Sequence, residues 1–295
     1  MVHIERMTRP TFHASLSPAV EAPSGKVAAD ENFPVGSRLL APAVRPHVAA
    51  YYAFARAADD IADHPALDPA EKLARLAALE DGLRGRRDDP AVRVAARLRA
   101  SLAATGVDPR HARDLLDAFR QDATQRRYAG WDELMAYCAR SAAPVGRYLL
   151  ELHGEDRSLF AASDPLCHAL QVLNHLQDCG RDHRELDRVY LPGDWLAAAG
   201  ADAATLAAPR TSPALRQVLD RCLDATEALL ARAAPLPRRL RSRRLALETA
   251  VILGIAHRLA RLLRQGDPLA GRVALSPPGF VRAAASGLAR LAWPR

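Results

Sequence analysis

The sequence predicts an all-α protein built as a single domain. Aromatic residues make up only 5% of the 295 residues, alanine and leucine are abundant, and strand-like alternation of β-branched and polar residues is scarce. Apolar residues account for 49% of the chain, which is enough to fill one large core. No composition break or short-period repeat separates the helical patterns. We therefore expect about eight helices packed together.

The chain is expected to begin and end with segments outside this domain. Residues 1–28 contain prolines at positions 10, 18 and 23, a composition typical of a disordered arm. The helical domain is expected to span residues 29–275. Residues 276–295 form a basic amphipathic tail in this division.

Most helix starts are marked by an N-capping Asp or Ser followed by Pro, as at Asp68 and Ser212. The first helix begins differently, at Arg45 with Pro46 in its first turn, and runs to Asp63. The apolar period of about 3.6 residues continues each pattern. Together these signals predict further helices over 68–84, 90–104, 109–127, 131–153, 165–186, 213–233 and 239–265.

The tail has the pattern of a surface helix. One stripe is apolar, while Arg282 and Arg290 fall outside it. Such a helix can lie on a membrane, or it can be a terminal helix packed on the domain, and the pattern leaves both open. It is too short to span a bilayer. The stripe consists of Phe280, Val281, Ala284, Leu288 and Leu291.

The net charge of +7 invites a polyanionic partner, but the charges are spread along the chain. The densest cluster is RRLRSRR at 238–244, and arginine supplies almost all positive charge because Lys26 and Lys72 are the only lysines. Neither a nucleic-acid-binding module nor interleaved aromatic residues accompany it. We therefore expect no nucleic-acid partner.

The cysteines and the N-terminus indicate the cellular compartment. The four cysteines form no CxxC pair, which fits reduced thiols. The first 20 residues lack the apolar core of a signal peptide. We expect a cytoplasmic protein, or one that is peripheral at the inner face of the membrane.

A first group of acids ends the helix YYAFARAADDIAD. Asp59, Asp60 and Asp63 arrive within five residues, and Asp59 and Asp63 are one turn apart on the same face. Like charges at this spacing repel, and the repulsion is stronger in apolar surroundings. The motif therefore implies a compensating cation.

A second row of oxygen donors follows in the predicted helix 165–186. Asn174, Asp178 and Asp182 recur every four residues, beside a face of leucines. Two helices carrying rows of hard oxygen ligands match Mg²⁺, which takes a few carboxylates together with waters and phosphate oxygens. The remaining ligands would come from a diphosphate.

Simpler interpretations remain open for both motifs. DDIAD is also typical of a solvated helix end, and Asp178 and Asp182 could form surface ion pairs with Arg181. Cys179 and His183 are one turn apart and could hold Zn²⁺, but no further Cys/His pair completes four ligands. No GxGxxG, P-loop, GxSxG or HExxH motif occurs.

The ordered motifs resemble those of the squalene and phytoene synthases, which join or rearrange prenyl diphosphates head to head. DDIAD is preceded by Arg56 and Tyr52, and the second motif reads QxxNxxxDxxxD from Gln171, followed by RxYLP at 188–192. Between them, FRQDATQRRYAGWDELMAYCARSAAPVG resembles the central stretch of the family. The resemblance covers roughly residues 30–275. It implies an isoprenoid synthase-type helical bundle around a central apolar cavity.

The same resemblance implies roles for individual residues. Two or three Mg²⁺ ions would be held by Asp59, Asp60, Asp63, Asn174, Asp178 and Asp182, of which Asp59, Asp63, Asp178 and Asp182 are expected to be catalytic. Arg56 and Arg45 would contact phosphate oxygens. Further expected substrate-binding residues are Asn32, Phe33, Tyr52, Arg140, Gln171, Gln177 and Tyr190. Phe33, Tyr52 and Phe54 are expected to line the apolar tunnel.

Three stretches most resemble the bacterial hydroxysqualene synthase branch, which serves hopanoid synthesis. In this branch presqualene diphosphate loses diphosphate and water captures the rearranged cation, so no NADPH is expected. Contacts with a membrane and with neighbouring pathway enzymes are also implied. The stretches are ENFPVGSRLL, RPHVAAYYAFARAADDIAD and NHLQDCGRDHRELDRVYLP.

The chain also departs from the broader family pattern. Gln177 stands where Arg is usual, Arg181 stands where Glu is frequent, and Arg140 aligns with a Tyr. These departures put condensation of two farnesyl diphosphates in doubt. A presqualene diphosphate, squalene or phytoene synthase is the alternative within the family. A catalytically inactive, synthase-like assembly protein is the alternative outside enzymology.

Overall fold

The structure, a computed structural model, describes Val20 and residues 39–292. About three quarters of the described residues are helical, which confirms the all-α prediction. Within this part of the chain, the α-helices are α1 (Arg45–Asp63), α2 (Pro69–Leu83), α3 (Arg93–Thr105), α4 (Arg110–Thr124), α5 (Trp131–Ser141), α6 (Ala143–Leu152), α7 (Phe160–Leu186), α8 (Gly193–Ala198), α9 (Pro213–Ala233), α10 (Leu236–Arg239), α11 (Arg243–Gln265) and α12 (Pro277–Ala292). Two short strands, β1 (Arg127–Tyr128) and β2 (Val189–Pro192), pair in parallel.

The buried apolar side chains form two large clusters. One lies among α1–α4 and includes Phe54, and the larger one is centred on α7 and includes Leu173. Leu149 and Leu152 of α6 pack against both clusters, so α6 joins them. Val20 is buried in the α1–α4 cluster, and the remainder of the predicted arm 1–28 lies outside the described residues.

Two of the expected N-caps are present as hydrogen bonds. The Asp68 carboxylate accepts from the Glu71 amide at 2.8 Å, and the Ser212 hydroxyl accepts from the Leu215 amide at 3.1 Å. Each bond satisfies an amide at the start of a helix that has no partner within the helix. These caps explain why α2 and α9 begin within a residue of the predicted positions.

The predicted helix 109–127 ends at Thr124, since Arg127 lies in β1, and three other helix predictions were also wrong in their extent. The predicted helix 131–153 is interrupted at Ala142, because Pro144 has no amide hydrogen and its ring clashes with the preceding turn. α7 starts earlier than predicted and contains Pro165, since Asp164 pairs with Arg147 at 2.6 Å instead of capping a helix. α11 starts later than predicted, where Ser242 provides its N-cap.

α12 packs against α11 through small residues. A Cβ atom added to Gly254 would lie 2.1 Å from the Ala283 carbonyl oxygen, and one added to Gly287 would lie 2.0 Å from the Ala250 carbonyl oxygen. The two backbones are therefore in direct contact, an approach that only glycine at these two positions allows. No helix among residues 39–292 is both long and apolar enough to cross a membrane.

Candidate active site

The first acidic motif is largely neutralised within its own helix. The Arg56 guanidinium donates to Asp60 Oδ1 at 2.9 Å through Nε and lies 3.0 Å from Asp59 Oδ2 through Nη1. Asp60 is buried, whereas a third of the Asp59 side chain is exposed. One arginine therefore offsets the repulsion between two acids at the end of α1.

The third acid of this motif is bound by an arginine from another part of the chain. Arg188, which follows α7, is only 5% exposed. Its Nη1 donates to Asp63 Oδ1 at 2.5 Å, and its Nη2 donates to the Ala62 carbonyl at 2.9 Å. Lys72 of α2 donates to the same carbonyl at 2.8 Å. The end of α1 is thus fastened to the segment that follows the second motif.

A short backbone pairing holds that segment in place. The Val189 amide donates to the Arg126 carbonyl at 2.9 Å, and β2 runs parallel to β1. All four residues of β2 are buried. The RxYLP element is therefore a buried strand, and the pairing fixes the direction from which Arg188 reaches Asp63.

The second acidic motif lies on α7, next to the first. Asp182 is buried, while Asn174 and Asp178 are partly exposed. Arg181 lies 2.7 Å from Asp178 Oδ2 and 3.7 Å from Asp182 Oδ1. Burial, then the charge of Asp178 and that of Asp63, raise the pKa of Asp182 to about 7. The Arg188 amide donates to the Asp182 carbonyl at 3.1 Å, so the residue that binds Asp63 is also bound to the last residue of the second motif.

A buried polar cluster adjoins Arg188. The Asp122 carboxylate accepts from the Tyr137 hydroxyl at 2.8 Å and from the Tyr190 hydroxyl at 3.0 Å. Burial raises the pKa of Asp122 to about 6, although the charge of Arg188 opposes the shift. Asp122 and Arg188 are both at least 94% buried, so their opposite charges interact with little screening by water.

Two of the predicted substrate-binding residues belong to this cluster. Tyr190 stacks on His175, with the ring centroids 3.6 Å apart, and burial lowers the pKa of His175 to about 3. The Gln171 amide nitrogen lies 3.3 Å from His175 Nε2. Gln171 and Tyr190 are thus linked through a neutral imidazole, with the Tyr190 hydroxyl already engaged by Asp122.

Two other predicted substrate-binding residues have contacts elsewhere. The buried Gln177 amide donates to the Val273 carbonyl at 2.6 Å, which ties α7 to the segment between α11 and α12. Arg140 is exposed and donates to the Gln121 side chain of α4. Neither of these contacts involves an acid of the two motifs.

The remaining predicted substrate-binding residues lie in the first half of α1 or before it. Arg45 donates to the Leu40 carbonyl at 3.0 Å, and eleven residues of helix place it about 16 Å from Arg56 along the axis. Tyr52 is partly buried. Asn32 and Phe33 lie outside the described residues.

For Phe54, the expected place in the tunnel stays a prediction. The Phe54 side chain is fully buried in the α1–α4 cluster. Tyr52 and Phe54 are two residues apart, and helical geometry sends such residues to different faces. The central apolar cavity itself stays a prediction.

The donors suit a cation that brings further ligands with it. Among the described residues, no three His, Cys, Asp or Glu side chains are grouped closely enough to hold a metal ion, so Cys179 and His183 have no completed zinc site. Burial raises the pKa of Asp182, and the charge of Asp178 adds to the shift, so a cation bound beside it would favour the ionised carboxylate. Carboxylate and amide oxygens with few protein ligands per ion fit Mg²⁺ bound together with phosphate oxygens.

Sequence reasoning did not assign a role to three residues at this site. Arg188 and Asp122 had been noted only as parts of longer motifs, and Lys72 only as a rare lysine. For Lys72 the available signal was the rarity of lysine, because a single lysine in an arginine-rich segment can mark a specific contact. The roles of Arg188 and Asp122 depend on contacts across more than 60 residues of sequence.

Comparison with known proteins identifies the family. Residues 27–278 match the Squalene/phytoene synthase family. The chain is 48% identical over 266 residues to hydroxysqualene synthase of Rhodopseudomonas palustris, covering 90% of each chain. It is 46% identical over 248 residues to hydroxysqualene synthase of Sinorhizobium fredii, covering 84% of each. The solved structure of squalene synthase HpnC from Alicyclobacillus acidocaldarius superimposes with a TM-score of 0.69 at 31% identity, over 78% of this chain and 87% of that one. This chain, with its two acidic motifs joined through Arg188, belongs to the squalene/phytoene synthase family.

Proposed function

We propose that this chain is a hydroxysqualene synthase, which converts presqualene diphosphate and water to hydroxysqualene and diphosphate. The observation that carries the proposal is that Arg188 binds both motifs: its guanidinium pairs with Asp63, and its amide donates to the Asp182 carbonyl at 3.1 Å. The names of the two bacterial relatives support the choice of reaction within the family.

The acids of both motifs would hold two or three Mg²⁺ ions together with the substrate diphosphate. The donors are Asp59, Asp60, Asp63, Asn174, Asp178 and Asp182. When bound, Mg²⁺ supplies Lewis acidity that stabilises the diphosphate as it leaves. Asp182 would give up its proton in binding a cation, since metal ligands must be deprotonated.

The basic residues of the site would have two separate roles. Arg56 neutralises Asp59 and Asp60 before substrate arrives, and cations on those acids would free its guanidinium for phosphate oxygens. Arg188 would remain on Asp63 and keep the end of α1 at a fixed position relative to α7. Lys72 contributes positive charge beside the same helix end.

The membrane-associated setting follows from the chemistry of the substrate. Two prenyl chains on one diphosphate make a molecule that partitions into bilayers. We place the enzyme in the cytoplasm, at the inner face of the membrane, beside the enzymes that supply its substrate and consume its product.

The decisive experiment is product analysis with purified protein. Presqualene diphosphate and Mg²⁺ without NADPH should give hydroxysqualene by mass spectrometry. Chelation with EDTA should stop turnover, and added Mg²⁺ should restore it. No product, or squalene formed only when NADPH is supplied, contradicts the proposal.

Separate incubations test the alternative within the family. Farnesyl diphosphate or geranylgeranyl diphosphate is supplied alone, and little turnover of either is expected. Efficient formation of presqualene diphosphate, squalene or phytoene from these substrates would identify the chain as a condensing synthase. An inactive assembly protein would turn over none of the three substrates.

A further inference from the structure

α12 leaves large apolar side chains on the surface after it has packed on α11. Val281 is 66% exposed, Phe280 37% and Leu288 36%, whereas Ala283 and Gly287 are buried against α11. Of the apolar stripe predicted from the sequence, Ala284 packs against the cluster of Val251 and Ile255 on α11, whereas Phe280, Val281 and Leu288 stay exposed. Small residues make the contact, and the large apolar residues remain available.

The surroundings of this exposed stripe are basic. No Asp or Glu occurs in the sequence after Asp267. Arg282 of α12 lines a groove of about 200 Å³ together with Arg258 and Arg261 of α11. Within residues 39–292, no carboxylate forms an ion pair with any of these three arginines. Apolar and basic residues thus occupy neighbouring parts of one surface, which we call the α12 surface.

We propose that the α12 surface binds membranes that contain anionic phospholipids. An interfacial helix places apolar side chains at the boundary of the acyl chains and lets arginines reach the phosphates. Val281 and Leu288 supply the first component, and the three groove arginines supply the second. The occupant is a lipid surface, because its chemistry matches both components at once.

Charge argues against the other candidates for this surface. A second copy of the chain would bring one unpaired set of arginines against another, which is unfavourable. A nucleic acid would neutralise the arginines but would leave Val281 without apolar contact. Lipid binding also requires no unfolding, because the contact with α11 uses different residues of the helix.

The proposal is tested by co-sedimentation of the full-length chain with vesicles. Vesicles of phosphatidylcholine alone are compared with vesicles that also contain phosphatidylglycerol. The protein should sediment with the anionic vesicles, and far less with the neutral ones. Val281→Ser with Leu288→Ser should lower the vesicle affinity about tenfold, because two apolar contacts are lost.

The electrostatic component has its own variant and control. Arg258→Gln, Arg261→Gln and Arg282→Gln should each weaken binding to anionic vesicles about fivefold at low salt. Arg93→Gln with Arg97→Gln removes exposed charges on α3 and should leave binding unchanged. The conservative pair Val281→Leu with Leu288→Met should bind like the unaltered chain. Far-UV circular dichroism checks that each variant is folded.

Three results would overturn the proposal. The first is failure of the unaltered chain to sediment with anionic vesicles, and the second is binding of the serine and glutamine variants as strong as that of the unaltered chain. The third is a dimer, seen by light scattering and dissociated by the serine pair, which would make the surface a contact between copies of the chain. Each readout is independent of turnover, so it is separate from the test of the proposed reaction.

Discussion

Two junctions between helices in this molecule are made in opposite ways. The end of α1 is held to the segment after α7 by Arg188, a buried cation that binds Asp63 and the Ala62 carbonyl. α12 is held to α11 by direct backbone contact at Gly254 and Gly287. The first junction is polar and joins residues 125 positions apart, whereas the second is formed by residues without charge.

The two junctions differ in their energetic cost. Taking an arginine and a carboxylate out of water costs several kcal/mol before their attraction is counted, and apolar packing is often as stable. Close helix packing of small residues has no such penalty. The charged junction is therefore best explained by its role in positioning the acids, and the small-residue junction by packing alone.

The largest expected effect is on catalysis at the polar junction. Asp59→Ala with Asp63→Ala should lower turnover of presqualene diphosphate by at least about 100-fold, a loss that even outer-shell partners of metal ligands can produce. Helicity, measured by far-UV circular dichroism, should be retained. Undiminished turnover would contradict the proposed metal site.

The next effect is on stability and concerns Arg188 itself. Arg188→Met should lower the free energy of unfolding by about 3–5 kcal/mol, because Asp63 and the buried Asp122 lose their compensating charge. Arg126→Met removes a neighbouring exposed arginine and should cost about 0–1 kcal/mol. Urea denaturation measures both. Equal losses would show that the polar junction is no stronger than a surface ion pair.

A pH dependence should follow from Asp182 in metal-free protein. Its pKa is about 7 in the folded chain against 3.8 ordinarily, so between these values the folded state holds a proton that the unfolded state releases. Stability should therefore fall as pH rises from about 4 to about 7. The contribution is at most about 4–5 kcal/mol, at about 1.4 kcal/mol per pKa unit.

Denaturation curves of a matched pair of variants across this pH window isolate that contribution. Asp182→Asn should flatten the decline, and Asp88→Asn, at a residue whose side chain is 74% exposed, should not. If the decline is unchanged in Asp182→Asn, then Asp182 is not the titrating group. Asp122, whose pKa is raised to about 6, contributes with the same sign and remains in both variants.

The smallest effect is expected at the junction of small residues. Gly287→Ala should destabilise the chain by about 2 kcal/mol, because its Cβ would overlap the Ala250 carbonyl and force the helices apart. Gly271→Ala is the matched control, since a Cβ there meets nothing within 4 Å. It should change stability by no more than about 0.5 kcal/mol. Similar unfolding curves for the two variants would refute the close contact.

The helices that could be predicted from the sequence are those whose ends are marked by local signals. The bounds of α1 and α9 follow from a first-turn proline, a serine cap and a sustained apolar period, all of which act within a few residues. The break at Ala142 and the early start of α7 were missed. Asp164, the residue before the predicted start at 165, does not cap the helix, because its carboxylate is bound by Arg147 from another helix.

The helical class, the two acidic rows and the family resemblance could be predicted from the sequence, because period, capping and motif spacing are properties of nearby residues. Which charges meet depends instead on how the helices pack. Arg188 reaches Asp63, Gln177 turns to Val273, and α12 presents Val281 outward. These outcomes depend on contacts between residues far apart in the chain, and on which face of each helix finds a partner. Spacing along one segment carries no information about either.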